Sequence, residues 1–109
     1  MRISAYRIMW IITFFDLPTE TKKNRKDYNL FRKGLLKDGF TMLQYSVYMR
    51  HCTSYESMEV HIKRVESILP PKGKVSIMFL TDKQFEKIKH FWGYEEKEPP
   101  NAPHQLELF

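Results

Sequence analysis

Asp16 is the acidic residue best placed for chemistry, because it directly follows an apolar run from Ile8 to Phe15 and precedes Leu17 and Pro18. A carboxylate at the end of a buried strand would serve as a ligand for Mg²⁺, which takes one or two carboxylates and keeps several waters when phosphates complete its shell. Two such residues across a dimer axis would form a site able to activate a water for attack on a phosphodiester. The structural alternative is a turn or capping residue, a frequent role for an aspartate after a strand.

A second set of candidate functional residues is basic. Four lysines, which we call the lysine stripe, fall within about 60° of one another at 100° per helical residue: Lys22, Lys26, Lys33 and Lys37. They lie opposite an apolar stripe of Tyr28, Phe31 and Leu35. Lys23 and Arg25 belong to the same basic segment. The pattern predicts a helix whose basic side faces away from the core.

The charge of the chain is unevenly distributed. Its formal net charge is +5, with ten Lys and Arg against four Asp and Glu in residues 1–52, and eight against nine in residues 53–109. A basic half favours an anionic partner, most simply nucleic acid, and makes the five lysines above the candidate contacts. A membrane surface and a merely solvated face are the alternatives.

Several functional classes are excluded by composition and motif. The single cysteine, Cys52, rules out an internal disulfide framework and a cysteine-based zinc finger. The four histidines lack metal-ligand spacing, so we expect them to be surface or hydrogen-bonding residues: His51, His61, His90 and His104. The chain contains no phosphate-binding loop, dinucleotide fingerprint or nucleophile elbow. No apolar run approaches the roughly 20 residues that span a membrane, and the basic N-terminus lacks a signal cleavage site. We therefore expect a cytoplasmic protein with a reduced cysteine.

The hydrophobic pattern places the elements that must hold these residues. Residues 8–15 are rich in β-branched and aromatic side chains and predict a strand buried on both faces. A helix is predicted from Thr19 or Thr21, either of which could cap it, to Asp38, with Gly39 as its stop.

The middle of the chain predicts a hairpin and a second helix. Residues 40–52 are long for one strand, so we predict two, 40–45 and 46–52, in hairpin or bulged continuity. Thr53, with Glu56 three residues later, has the spacing of a capping box that begins a helix. Pro70 and Pro71 end that helix.

A third stretch completes the pattern. Residues 75–80 are nearly all apolar and predict a strand, and residues 82–90 predict a short helix. The resulting order, β-α-β-β-α-β, is that of an α+β, ferredoxin-like fold, with one antiparallel sheet and both helices on one face. We assign this domain to residues 1–98.

Apolar residues occupy both faces of the first strand, and only one face can meet the helices. The surplus predicts a second chain packed sheet to sheet, as in a homodimer. Residues 99–109 comprise a proline-rich linker and a segment, Gln105 to Phe109, with strand-like alternation. We predict that this segment adds to the sheet edge of the dimer partner, a disordered tail being the alternative.

The segment from Phe14 to Pro18 reads Phe-Phe-Asp-Leu-Pro and is followed by Lys-Lys-Asn-Arg-Lys at residues 22–26. Further segments match at Phe31-Arg32-Lys33, Leu35-Leu36, Gly39-Phe40 and Met42 through Arg50. In combination they resemble the small spacer-acquisition proteins of the CRISPR-associated Cas2 family, and within it the type II branch found beside the single-protein effector nuclease. The similarity is densest over residues 7–52 and continues through residues 74–82 and Phe85.

The resemblance implies a ferredoxin-like homodimer with a swapped C-terminal strand, which joins the CRISPR integrase and contacts duplex DNA during spacer acquisition. It also implies a Mg²⁺-dependent endonuclease acting on RNA or double-stranded DNA, with Asp16 at the position of the family's metal ligand. Arg25 resembles a family position linked to nucleic-acid contact. Phe15 stands where other members often have tyrosine, so a hydroxyl found in them is absent here.

Three functions remain open from the sequence. The first is a DNA-binding scaffold in an integration complex, and the second is a metal-dependent phosphodiesterase at Asp16. The third is a ferredoxin-like RNA-binding or interaction module without catalysis. RNA-binding domains of this plan carry exposed strand aromatics in a characteristic Lys/Arg-Gly-Phe-Gly-Phe-like segment. This chain contains no such segment.

Overall fold

Strand β1 (Met9–Asp16) occupies the middle of a four-stranded antiparallel sheet. The computed structural model describes residues 8–97. In chain order β1 is followed by α1 (Lys22–Lys37), β2 (Thr41–Gln44), β3 (Val47–Cys52), α2 (Tyr55–Ser67) and β4 (Lys74–Thr81). A short helix, α3 (Asp82–Glu86), and a hairpin of β5 (Phe91–Trp92) and β6 (Glu95–Glu96) follow.

The strand order β2-β3-β1-β4 confirms the predicted ferredoxin-like fold. The pairing of β1 with β3 runs from Met9 opposite Cys52 to Phe14 opposite Val47. The pairing of β1 with β4 continues to the last residue of β1, where Asp16 lies opposite Lys74. β4 therefore pairs with β1 along its whole length, and β3 pairs with it as far as Phe14.

Helix α1 begins and ends as its sequence indicates. Thr21 is the cap rather than Thr19, because its side chain accepts a hydrogen bond of 3.0 Å from the backbone N–H of Asn24. The apolar stripe is buried as predicted, by Tyr28, Phe31 and Leu35. Gly39 follows the helix with a φ of +88°, the left-handed conformation that commonly ends helices.

The predicted start of the second helix is wrong by one residue. Ser54, not Thr53, caps α2, and its side chain accepts a hydrogen bond of 3.0 Å from the backbone N–H of Ser57. Both hydroxyls can cap a helix, and the extended backbone immediately before Tyr55 selects the serine. A capping box does occur at the start of α3, formed by Thr81 and Gln84.

The region after β4 also differs from the prediction. Helix α3 ends at Glu86 rather than near His90, and the β5–β6 hairpin that follows it was not predicted. Gly93 has a φ of +66° between the two short strands, which explains the tight turn because glycine adopts this conformation without steric cost.

Side chains of β1 contribute to two separate hydrophobic clusters. On one face Met9, Ile11 and Phe15 pack against the buried residues of α1 and α2. On the other, which we call the second face, Trp10 and Ile12 pack with Met49, Phe85 and their neighbours. Apolar side chains therefore cover both faces of β1, as predicted.

Helix α3 covers one end of the second face. The Trp10 and Phe85 rings stack with centroids 3.8 Å apart, and the Trp10 indole N–H donates to the Asp82 carboxylate at 2.8 Å. Toward the other end, Phe14 and Met78 are exposed by 37% and 41%. The chain's own α3 thus buries part of the surface that the sequence assigned to a second chain.

A polar network joins the end of α1 to α2. The Asp38 carboxylate accepts hydrogen bonds from Arg64 at 2.9 Å and shares one of 2.8 Å with the His61 ring. Arg50 of β3 donates to the Asp38 backbone carbonyl. Burial opposes ionisation of Asp38, but the hydrogen bonds and charges of His61 and Arg64 outweigh it and lower the pKa of that carboxyl.

Gly73 allows the loop before β4 to pass close to the end of β1. Its φ is +95°, and a Cβ at this position would lie 2.8 Å from the Asp16 carbonyl oxygen and 3.0 Å from the Leu17 Cα. Both are backbone atoms, so the chain would have to shift to accept a side chain. The glycine therefore sets the backbone around Asp16.

Two predictions concern residues beyond the described range of 8–97. The proline-rich linker and C-terminal strand predicted for residues 99–109 lie outside the described residues, as does His104. Within residues 8–97, no helix combines the length and apolar character needed to cross a membrane.

We expect Gly73→Ala to destabilise the fold by about 1–3 kcal/mol, because the new Cβ adds a backbone clash to an unfavourable φ. Urea unfolding monitored by circular dichroism measures the change. Gly93→Ala is the matched control, since its φ is also positive but no atom lies within 4 Å of the added Cβ. Equal losses in the two variants would contradict the proposed close approach.

We expect Asp38→Asn to lower the free energy of unfolding by about 1–3 kcal/mol at neutral pH, through loss of charged hydrogen bonds. Because folding lowers the pKa of Asp38 from 3.8, its contribution is complete well above pH 3.8 and is lost as the pH falls below that value. Urea unfolding across this range should show the parent and variant converging in acid.

Asp27→Asn is the control, since Asp27 pairs only with the exposed Lys23 within residues 8–97 and should change stability little. Curves for parent and Asp38→Asn that stay parallel down to low pH would contradict the role of the carboxylate.

Candidate nucleic-acid interface and acidic site

Asp16 lies at the open end of the second face. It is exposed, and strand alternation places it on the same face as Phe14 and Trp10. Lys74 lies directly opposite on β4. Within residues 8–97 the carboxylate has no ion pair or hydrogen bond, so it is available to a cation from solution.

The backbone that carries Asp16 is held on both sides. The preceding Phe15 is buried, with ring centroids 5.1 Å from Phe31, 5.6 Å from Tyr48 and 5.8 Å from Tyr28. Its N–H donates to the Ser46 carbonyl at 3.0 Å. The acidic side chain is therefore free, whereas its main chain is fixed.

Asp16 lines an open depression of about 530 Å³. Its lining includes Phe14, Asp16, Val47, Lys74 and Ser76. One acid and one ammonium thus face a space wide enough for a phosphate group and its hydration.

The donor set at Asp16 fits a cation held jointly with a phosphate. Within residues 8–97, no group of three or more His, Cys, Asp or Glu side chains could hold a metal ion. Mg²⁺ accepts a single protein carboxylate when waters and phosphate oxygens complete its shell. One copy of the chain supplies that single carboxylate, and a second copy would supply another.

The lysine stripe is solvent-exposed along the whole of α1, as the helical spacing predicted. Lys22, Lys26, Lys33 and Lys37 are all exposed, and none has an ion-pair partner within the described part of the chain. From Lys22 to Lys37 the stripe extends about 22 Å at 1.5 Å per residue. It therefore presents a line of unpaired ammonium groups.

The other two predicted basic contacts are engaged within the chain. Lys23 pairs with Asp27 at 3.1 Å. Arg25 donates from one guanidinium nitrogen to the carbonyls of Thr19 and Glu20 at 3.1 and 3.2 Å. Arg25 thus stabilises the loop between Asp16 and α1. This structural role was not predicted from the sequence.

Sequence reasoning missed a cleft between α1 and the β2–β3 turn. This Tyr45 cleft, of about 510 Å³, is lined by residues that include Arg25, Tyr28, Asn29, Arg32, Tyr45 and Tyr48. Arg25, Asn29 and Arg32 follow each other at helical spacing beside the lysine stripe, a signal that could have revealed it. The contribution of Tyr45 depends on the turn and has no such signal.

Neither Cys52 nor any described histidine lines the acidic depression or the Tyr45 cleft. Burial lowers the pKa of His51 and raises that of the Cys52 thiol, so both favour their neutral forms. His61 is a hydrogen-bonding residue as expected. His90 departs from the expectation, because it is buried and its Nε2 has no hydrogen-bond partner within residues 8–97.

Comparison with known proteins gives consistent matches. A family model described as "CRISPR associated protein Cas2" matches residues 9–88. A protein of Flavobacterium psychrophilum named "CRISPR-associated endoribonuclease Cas2" is 51% identical over 108 residues, which are 99% of this chain and 94% of the relative. A protein of the same name from Parvibaculum lavamentivorans is 52% identical over 101 residues, 93% of this chain and 100% of the relative.

A solved structure described as "Crystal structure of cas2" is 22% identical and has a TM-score of 0.49, covering 68% of this chain and 76% of that chain. The residues matched by the family model, 9–88, extend from β1 through α3. They include every element that positions Asp16, the lysine stripe and the Tyr45 cleft.

Proposed function

Because the chain belongs to the CRISPR-associated Cas2 family, we propose that it acts in spacer acquisition, binding duplex DNA as a homodimeric scaffold for the CRISPR integrase. The observation that supports this function is the lysine stripe, whose four exposed ammonium groups have no partner within residues 8–97. Unpaired cations in a row favour a polyanion, since each phosphate contact releases condensed counterions.

The dimension of the stripe suits a nucleic-acid backbone. Its length of about 22 Å along α1 corresponds to roughly six steps of 3.4 Å along one strand of a duplex. Contacts of this kind fix position and orientation without reading sequence. A scaffold that accepts DNA fragments of many sequences requires binding of this kind.

Dimerisation is supported by the open end of the second face. Phe14 and Met78 are exposed there, although they lie on the apolar side of the central sheet. A second copy placed against this end would bury both side chains. The dimer would then carry two lysine stripes, one on the outward side of each α1.

We expect the triple variant Lys22→Gln, Lys26→Gln, Lys33→Gln to weaken duplex binding and to reduce the slope of log affinity against log salt by about three, one for each lost phosphate contact. Fluorescence anisotropy with labelled duplex across a salt series measures both quantities.

The matched control neutralises three exposed lysines elsewhere, Lys63, Lys87 and Lys89, and changes net charge equally. If the control variant lost as much affinity and slope as the stripe variant, general charge rather than the stripe would explain binding.

A second candidate function, an endonuclease, is favoured by the exposed and unpaired Asp16. The relatives from Flavobacterium and Parvibaculum are named as endoribonucleases. Asp16 would hold Mg²⁺, which when bound neutralises phosphate charge and lowers the pKa of a coordinated water. Two copies of Asp16 in a dimer would provide the pair of carboxylates that one chain lacks.

Neighbouring residues define what the chain itself contributes to such a reaction. Lys74, opposite Asp16, is a hydrogen-bond donor able to hold a phosphate oxygen at the carboxylate. Phe15 has no hydroxyl and is buried in the core, so it exchanges no proton with substrate. The site thus positions a phosphodiester with one acid and one ammonium per chain.

We expect Asp16→Asn to reduce Mg²⁺-dependent cleavage by about 100-fold or more, since losses of even outer-shell partners cost 10–100-fold, while nucleic-acid binding is retained. End-labelled RNA and double-stranded DNA are incubated with Mg²⁺ or chelator, and cleavage and binding are scored on the same samples. Glu20→Gln, which removes an exposed carboxylate from the neighbouring loop, is the control.

Equal cleavage by the parent and Asp16→Asn would reject the acidic site. Binding without cleavage by either protein would leave the scaffold as the function. A monomer in solution that still binds RNA would instead favour an RNA-binding module.

A further inference from the structure

The exposed ring of Tyr45 is the main feature of the Tyr45 cleft. Tyr45 is 75% exposed. Its ring lies at 22° to the ring of Tyr28, and the two ring centroids are 6.1 Å apart. The contact supports the ring on one side and leaves most of its surface in solvent. The hydroxyl of Tyr28 raises the pKa of Tyr45, so the phenol stays protonated.

The turn that carries Tyr45 is held by two hydrogen bonds of Ser46. Ser46 has a φ of +64°, an uncommon conformation for a residue with a side chain. Its carbonyl accepts from the Phe15 N–H at 3.0 Å, and its hydroxyl shares a hydrogen bond of 3.0 Å with the Tyr28 hydroxyl. The strained turn is thus held against β1 and α1, which orders Tyr45 before any ligand binds.

Polar groups of α1 form the opposite wall of the cleft. Arg32 donates from Nε to the buried Tyr48 hydroxyl at 2.9 Å, which fixes the guanidinium while its terminal nitrogens have no partner within residues 8–97. Asn29 is exposed, and its amide is likewise without a partner in the described chain. An aromatic face, a guanidinium and an amide therefore line one space.

This combination matches the chemistry of one nucleotide. Aromatic rings stack on unpaired bases with little sequence preference, guanidinium groups bind phosphate through paired donors, and an amide can hydrogen-bond a base edge. The space of about 510 Å³ is within the usual size range of small-ligand sites.

We propose that the Tyr45 cleft binds a single unpaired nucleotide of a nucleic-acid strand, with its base stacked on Tyr45 and its phosphate at Arg32. The inference rests on the proposed nucleic-acid function and adds a binding site for unpaired residues, distinct from duplex binding along the lysine stripe. Because Arg32 and Asn29 lie on the flank of α1 beside that stripe, a strand running along α1 passes the mouth of the cleft. A frayed end or overhang of a bound duplex is the form of ligand that the site would take.

The test uses an oligonucleotide with one fluorescent 2-aminopurine in an unpaired overhang, made in DNA and in RNA. Stacking on Tyr45 should quench this base when the parent protein binds. Tyr45→Phe keeps the ring and should keep the quenching, whereas Tyr45→Ala should abolish it and weaken binding of the overhang about tenfold. A blunt duplex of the same sequence should bind both variants equally.

Tyr55→Ala is the matched control, because Tyr55 is a half-exposed tyrosine of α2 outside the cleft. Thermal unfolding of each variant checks that the fold is intact; the high exposure of Tyr45 makes the alanine variant well tolerated.

Each outcome decides between the two proposals. Quenching that depends on the ring at position 45 supports the nucleotide site. Overhang binding without quenching, or with equal quenching in Tyr45→Ala, overturns it and leaves the lysine-stripe function intact. Tyr45-dependent quenching with no effect of the stripe variant on duplex binding supports the cleft and overturns the stripe.

Discussion

Packing of the Phe15 ring against Phe31, Tyr48 and Tyr28 is the interaction on which both candidate sites depend. Since strand residues alternate between faces, burying Phe15 forces Asp16 to the opposite, open face. The two tyrosines of the same cluster extend to the Tyr45 cleft, where the Tyr28 hydroxyl shares a hydrogen bond with Ser46 and the Tyr48 hydroxyl accepts one from Arg32. One aromatic cluster therefore sets the acidic depression and the Tyr45 cleft together.

The order of elements, the buried stripe of α1 and the exposure of the lysines could be predicted from the sequence, because each follows from a local period. The position of Asp16 at a strand end required only the apolar run before it and Pro18 after it. These features depend on neighbours a few residues away, and such neighbours are visible in a sequence. The ferredoxin-like order then followed from counting elements.

Features that depend on distant contacts were missed or misassigned. Thr53 and Ser54 are equivalent as capping residues, and only the backbone conformation distinguishes them. Arg25 looks like an ordinary member of a basic surface, yet its guanidinium binds two loop carbonyls. The cleft arises because the β2–β3 turn folds back and places Tyr45 beside α1. Tyr45 and the α1 residues that line the cleft share no spacing in the sequence. None of these contacts leaves a periodic signal.

Because Phe85 stacks on Trp10, the end of the second face near Asp16 is its more exposed part. Exposure along the second face rises from 1% at Trp10 and 3% at Ile12 to 37% at Phe14, immediately before Asp16. A second copy of the proposed homodimer that covers this face would occupy the acidic end, and two Asp16 carboxylates brought close together there would repel each other. Any cation that relieves this repulsion binds the associated form preferentially, so self-association and divalent cation affinity would strengthen each other by mass action.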